Sequence, residues 1–208
     1  MDKTGLRIRE ETEWYRYYAS SAHPYIYESK FATGEATVSL AELQSRWHGW
    51  NEAEQVQFAQ AFKWKPALSS EDEQILDFLM RQDGEMVSSS IAILVTKLSD
   101  KKRAARFLTD CLKAFPTSRP NFLTALADLA APETATDLSL LFQECNHRIA
   151  ENAQEYGAAA DLLYCSAALF KITSERKYFE VISSYLRHEN AQLRYDAESA
   201  MRWGGVSG

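Results

Sequence analysis

The sequence predicts an all-α protein built from stacked helical hairpins, and three observations carry that expectation. Apolar residues recur at three- and four-residue steps over most of the chain, the period that places them on one side of a helix. Pro24, Pro66, Pro116 and Pro132 each border such a run, and Pro120 sits where the first turn of a helix tolerates proline. No segment combines sustained period-two alternation with β-branched residues and a Gly-rich turn, so no strand is expected.

The helix starts are legible in side-chain chemistry. Ser39 with Glu42, Asn51 with Glu54 and Ser70 with Glu73 set a short oxygen-bearing side chain three residues before a carboxylate, where each can satisfy a free N–H in the other's turn. Asp100 and Asn190 suit the same cap position. After Ser70 the stripe Ile75, Leu76, Leu79, Met80 defines a helix expected to end near Asp83-Gly84, and Val87, Ile91, Leu94, Leu98 define its successor. So short a loop between them demands an antiparallel pair.

That hairpin recurs. A second is expected over 101–115 and 119–131, a third over 134–152 and 156–172, and a fourth over 175–188 and 191–203. Corresponding positions lie roughly 35 residues apart, within the range of helical repeats. One hairpin cannot bury both its stripes, and stacking on neighbours is the physical reason for the repetition.

Composition bounds the rest. The 208 residues and 46% apolar content suffice for a sizeable core. Twenty-nine acidic against twenty-three basic side chains leave a net charge of −6, and Lys101, Lys102 and Arg103 are the only basic run, which argues against a nucleic-acid partner. Met1 to Glu11 is charged, and no segment approaches the ~20 apolar residues of a membrane span, so the expected location is the cytoplasm, without a membrane partner. Cys111, Cys145 and Cys165 are odd in number and embedded in helical patterns, the signature of small core residues in a reducing compartment.

The stretch from Leu186 to Met201 carries a more specific pattern: a polar turn with Asn190, an aliphatic-Arg pair in Leu193 and Arg194, then small residues at Ala197 and Ala200. It resembles the HEAT repeat. The segment from Asp83 through Ile91 and Leu94 follows the same register with Ser88 in place of the family's Arg, and the middle hairpins match in length and stripe. The resemblance implies a right-handed α–α superhelix of about four HEAT-like hairpins over residues 69–208, capped by an aromatic-rich N-terminal helical region over 1–68, in one continuous unit. The cap would be built from Trp14, Tyr15, Tyr17, Tyr18, Tyr25, Tyr27 and Phe31, then Trp47, Trp50, Phe58, Phe62 and Trp64, the alternative being that these aromatics form part of a binding surface.

Catalytic patterns are thin. Deoxyhypusine hydroxylases, which are HEAT-like, hold two irons with several His-Glu pairs, whereas this chain has the one pair His188-Glu189, too few ligands for a coordination shell. HEAT-like alkylpurine DNA glycosylases need a basic groove, which the charge balance does not supply. Ser88-Ser89-Ser90 has no neighbouring His or Gly-flanked elbow, and no Gly-rich phosphate loop is present. No catalytic, cofactor or metal residue is therefore assigned.

What the resemblance leaves is the concave side, lined by the second helix of each hairpin. Projecting the apolar stripes inward leaves Ser89 and Thr96 on the first such helix and Asn121, Thr124 and Asp128 on the second. The third contributes Asp161, Tyr164 and Lys171, and the last Tyr195, Glu198 and Arg202. A plain solvated face would explain much of this set, and the two tyrosines are the strongest anchors for a partner. The expected function is a non-enzymatic adaptor, regulator or immunity-type inhibitor that captures a protein partner without a cofactor. The alternative is an enzyme or enzyme accessory on the same scaffold, such as a DNA glycosylase or a cofactor lyase subunit.

Overall fold

The computed structural model describes residues 39–63 and 67–205. Among them ten α-helices follow one another and no strand occurs: α1 Leu40–Trp47, α2 Glu52–Lys63, α3 Ser70–Leu79, α4 Glu85–Val95, α5 Lys101–Ala114, α6 Arg119–Leu129, α7 Ala135–Glu151, α8 Tyr156–Thr173, α9 Arg176–Tyr185 and α10 Ala191–Trp203. Short 3-10 turns at Pro116–Ser118 and Pro132–Thr134 lead into α6 and α7, where proline's fixed φ suits a helix entrance.

The capping chemistry sets the boundaries. Ser39 Oγ accepts from the Glu42 N–H, Asp100 from Arg103, and Asn190 from both Gln192 and Leu193. Asn51 and Glu54 form a reciprocal pair, each side chain accepting from the other's N–H at 3.1 and 3.0 Å. The third expected pair is displaced by one residue. Ser69 and Asp72 make the capping box, because Ser69 holds the extended conformation a cap needs while Ser70 is already helical. Glu73 is thereby released, and its carboxylate accepts from the N–H and hydroxyl of Ser99, tying α3 to the end of α4. α3 also stops earlier than expected, at Leu79. Its final carbonyls are closed by Met80, Arg81 and Gln82, and Gly84 belongs to the start of α4.

The even-numbered helices form the central packing series. α4 packs between α2 and α6, α6 between α4 and α8, and α8 between α6 and α10, while α3, α5, α7 and α9 each pack against the even helix that follows. α10 also reaches α6. One apolar cluster runs from Leu43 and Trp47 through Phe58, Phe62, Leu76, Leu94 and Leu126 to Tyr178. A second joins α8, α9 and α10 through Leu163, Ile182 and Leu193 with Ala159, Ala167, Ala197 and Ala200. Its small residues allow close approach of backbones, and a Cβ on Gly204 would lie 3.7 Å from Ala167 Cα.

Of the aromatics expected to cap the chain, Trp47, Trp50, Phe58 and Phe62 contact one another, and Trp47 meets Phe78 of α3 edge-on at 5.6 Å. Trp64 and the run from Trp14 to Phe31 lie outside the described residues.

Two helices end on a residue with positive φ that is not glycine: Ala130 after α6 (φ 50°) and Ser174 after α8 (φ 58°). The left-handed conformation crowds a Cβ against the following carbonyl, and glycine removes that cost. Ala130→Gly is expected to raise unfolding free energy by about 0.5–1 kcal/mol in urea titration. A loss of stability would show that the Ala130 methyl contributes packing that outweighs the strain. Leu126→Ala, which empties a fully buried site on the same helix, is expected to cost about 2–5 kcal/mol in the same assay.

Candidate interaction face

Several of the polar residues that flank the core stripes of the central helices bond across to the next central helix. Asn121 Nδ2 donates to Ser89 Oγ at 2.6 Å and Thr96 Oγ1 donates to Asp128 Oδ2 at 2.8 Å, each pair 32 residues apart. Ser89 and Thr96 lie two turns apart on one side of α4 and its C-cap, as do Asn121 and Asp128 on α6, so these are two rungs of one ladder. Between α8 and α10 the same 32-residue spacing returns, with Tyr164 Oη donating to Asp196 Oδ1 at 3.3 Å. Four expected partner-binding residues, Ser89, Asn121, Asp128 and Tyr164, are thus engaged in joining successive central helices. Each bond is worth roughly 0.5–1.5 kcal/mol net.

Asp161 departs from expectation. It is only 5% exposed and lies beneath the surface of α8, flanked at helical spacing by buried Ala158, Leu162 and Cys165. Its partner is Arg119 at the start of α6, whose Nη1 stands 3.3 Å from Asp161 Oδ2 and 3.6 Å from Glu144 Oε1 on α7. Arg148 continues the chain of charges to Glu144 and to Glu155, the residue preceding α8. Three helices are therefore joined by alternating charges, and Asp161 is a buried structural carboxylate where the sequence suggested a ledge residue. Burial pushes its carboxyl up to about 6 despite the attraction of Arg119.

The group sequence reasoning missed sits at the same seam. Asp196 is 2% exposed, and its carboxylate accepts from Tyr156 Oη at 2.6 Å, Tyr164 Oη at 3.3 Å and Gln192 Nε2 at 3.5 Å. A signal was available: Asp196 falls three residues after Leu193 and beside Ala197, inside the apolar stripe of α10, where a carboxylate demands partners. Around it Tyr156 remains 40% and Tyr195 37% exposed. Tyr195, Glu198 and Arg202 share the exposed side of α10, Lys171 is exposed near the end of α8, and Thr124 on α6 is half-buried.

Among the described residues, the thiols and His188 are held in settings that disfavour reactivity. Burial raises the thiols of Cys111 to about 11 and Cys145 to about 12, and lifts Cys165 well above its ordinary value, which disfavours the nucleophilic thiolate. His188 stacks on Tyr185, ring centroids 5.3 Å apart, and its Nδ1 accepts from the Asn190 N–H, so the ring is part of a turn. Among the described residues no three His, Cys, Asp or Glu side chains are placed to hold a metal ion.

Comparison of the chain with protein-family models, curated proteins and solved structures finds no match. Fold and site together define a class: an all-helical protein with polar rungs between successive central helices, none of whose described helices is long and apolar enough to cross a membrane.

Asp161 makes a pH prediction. Its folded-state value lies above the ordinary 3.8, so the folded chain holds this proton more tightly, and the favourable contribution present below pH 4 is lost as pH rises through about 6. Asp161→Asn abolishes that titration. Relative to wild type, the variant is expected to gain on the order of 2 kcal/mol in unfolding free energy between pH 4 and 7. A difference that stays flat across this window would refute burial as the dominant influence on Asp161.

Proposed function

We propose that this chain is a non-enzymatic, HEAT-like protein-binding adaptor, regulator or immunity-type inhibitor of the cytoplasm. Its hairpins would stack as a right-handed superhelix that presents the even-numbered helices to a partner. The packing order supports that architecture, since each of α4, α6 and α8 lies between two other even-numbered helices, and so does the repeated 32-residue spacing of the rungs.

The observation that carries the binding role is the pair of exposed tyrosines on adjoining helices α8 and α10. Tyrosine offers a large amphipathic contact at small conformational cost, and Tyr156 is already held by Asp196, so little freedom remains to be lost on association. Lys171 near the far end of α8, with Glu198 and Arg202 on α10, would add charges along the same two helices that set register and exclude mismatched partners. Ser89, Asn121 and Asp128 contribute shape more than energy, because each already bonds to the neighbouring helix, and half-buried Thr124 presents little surface.

Affinity purification of the tagged chain from its native cells is expected to recover one protein at near-equal ratio. Tyr195→Ala should weaken that complex at least tenfold, on the order of 2 kcal/mol for an interface anchor, with the melting temperature of the variant followed in parallel to separate binding from stability. A salt-sensitive shift with duplex DNA, or no dominant co-purifying protein, would overturn the reading.

A further inference from the structure

We infer that the cluster of Tyr156, Tyr164 and Asp196 receives an arginine side chain from the protein partner. The inference rests on the adaptor reading above and names the chemistry of its central contact. Two carboxylates are buried at the seams of α8, and they are treated differently. Asp161 has a cation of its own in Arg119. Asp196 is more deeply buried, yet its hydrogen-bond donors are two phenols and an amide, and no cation pairs with it among the described residues. Neutral donors satisfy its lone pairs without cancelling its charge, so a negative potential persists in a low-dielectric setting, where it acts over a longer distance than at an open surface.

The route by which a cation can approach that potential is aromatic. Tyr156 is bonded to the carboxylate through its hydroxyl while 40% of the residue remains exposed, so its ring bridges the buried charge and the solvent. A cation resting on such a ring gains from the ring quadrupole and from the carboxylate together. Guanidinium fits better than ammonium, being planar, weakly hydrated and able to stack on a phenol. The chain's net charge of −6 favours approach of a basic partner surface.

The test is isothermal titration of the full chain with the probe acetyl-Gly-Arg-Gly-amide, using the glutamine analogue as a neutral control. Saturable binding of the arginine probe alone is expected. It should fall at least tenfold in Asp196→Asn and about five- to tenfold in Tyr156→Ala, persist in Tyr156→Phe, which keeps the ring, and be unchanged in Glu133→Gln, which removes one exposed charge elsewhere. Should Asp196→Asn fail to fold, the two Tyr156 variants decide the matter, since that residue lies at the exposed first position of α8.

Equal loss in Glu133→Gln and Asp196→Asn would reduce the effect to non-specific charge and overturn the inference, as would equal binding of the glutamine probe or no binding at all. Self-association of the chain that disappears in Asp196→Asn, without probe binding, would reassign the site to a second copy and overturn it equally. A captured partner lost in Tyr195→Ala but retained in Asp196→Asn and Tyr156→Ala would refute this site while leaving the adaptor reading intact. Absence of any stoichiometric partner would instead remove the reading itself.

Discussion

Half of the described helices have eleven residues or fewer, and a helix of ten residues such as α3 or α9 is marginal in water by itself. Its stability has to come from covering an apolar stripe, and one neighbour does not cover the stripes of both helices in a hairpin. The even-numbered helices meet that constraint by lying between other helices. α8 is the extreme case, with eleven buried positions and contacts to α6, α7, α9 and α10. Helix order, the two apolar clusters and the alanine-lined approach of α8 to α10 all follow from this need for neighbours.

Central placement has a second consequence, for polar groups. A helix flanked on several sides has little perimeter left for water, so polar side chains at its margins must find partners on the next helix. The rungs Ser89 to Asn121 and Thr96 to Asp128 meet that demand, the first at the surface and the second with Thr96 buried beneath an exposed Asp128. Deeper down, the demand falls on carboxylates. Asp161 meets it with Arg119 inside an alternating chain of charges that ties α6, α7 and α8. Asp196 meets it with tyrosines, and this choice leaves aromatic surface at the seam of α8 and α10 held in place from below.

The ledge expected from the stripes therefore divides in two. Its first half, on α4 and α6, is largely committed to joining helices. Its second half, on α8 and α10, keeps exposed groups in Lys171, Tyr195, Glu198 and Arg202 and gains Tyr156. Periodicity by itself marks every residue off the apolar stripe as exposed. Contacts between adjacent helices decide which of them remain so.

The amino-acid sequence by itself determined the helical class, the boundaries of most helices to within a few residues and the identity of most caps. These depend on interactions spanning three or four residues, and that range is visible in a one-dimensional pattern. Where adjacent residues offered equivalent chemistry, as with Ser69 and Ser70 before Asp72 and Glu73, local pattern could not choose, and a bond from Ser99, 26 residues away, distinguishes the second carboxylate. Tertiary structure alone decided that Asp161 lies inward, which donors meet Asp196, that Arg119 pairs across 42 residues and that Tyr156 stands over a buried carboxylate. Those outcomes depend on which helix faces which and at what height, and a carboxylate on an apolar stripe only signals that some distant partner must exist.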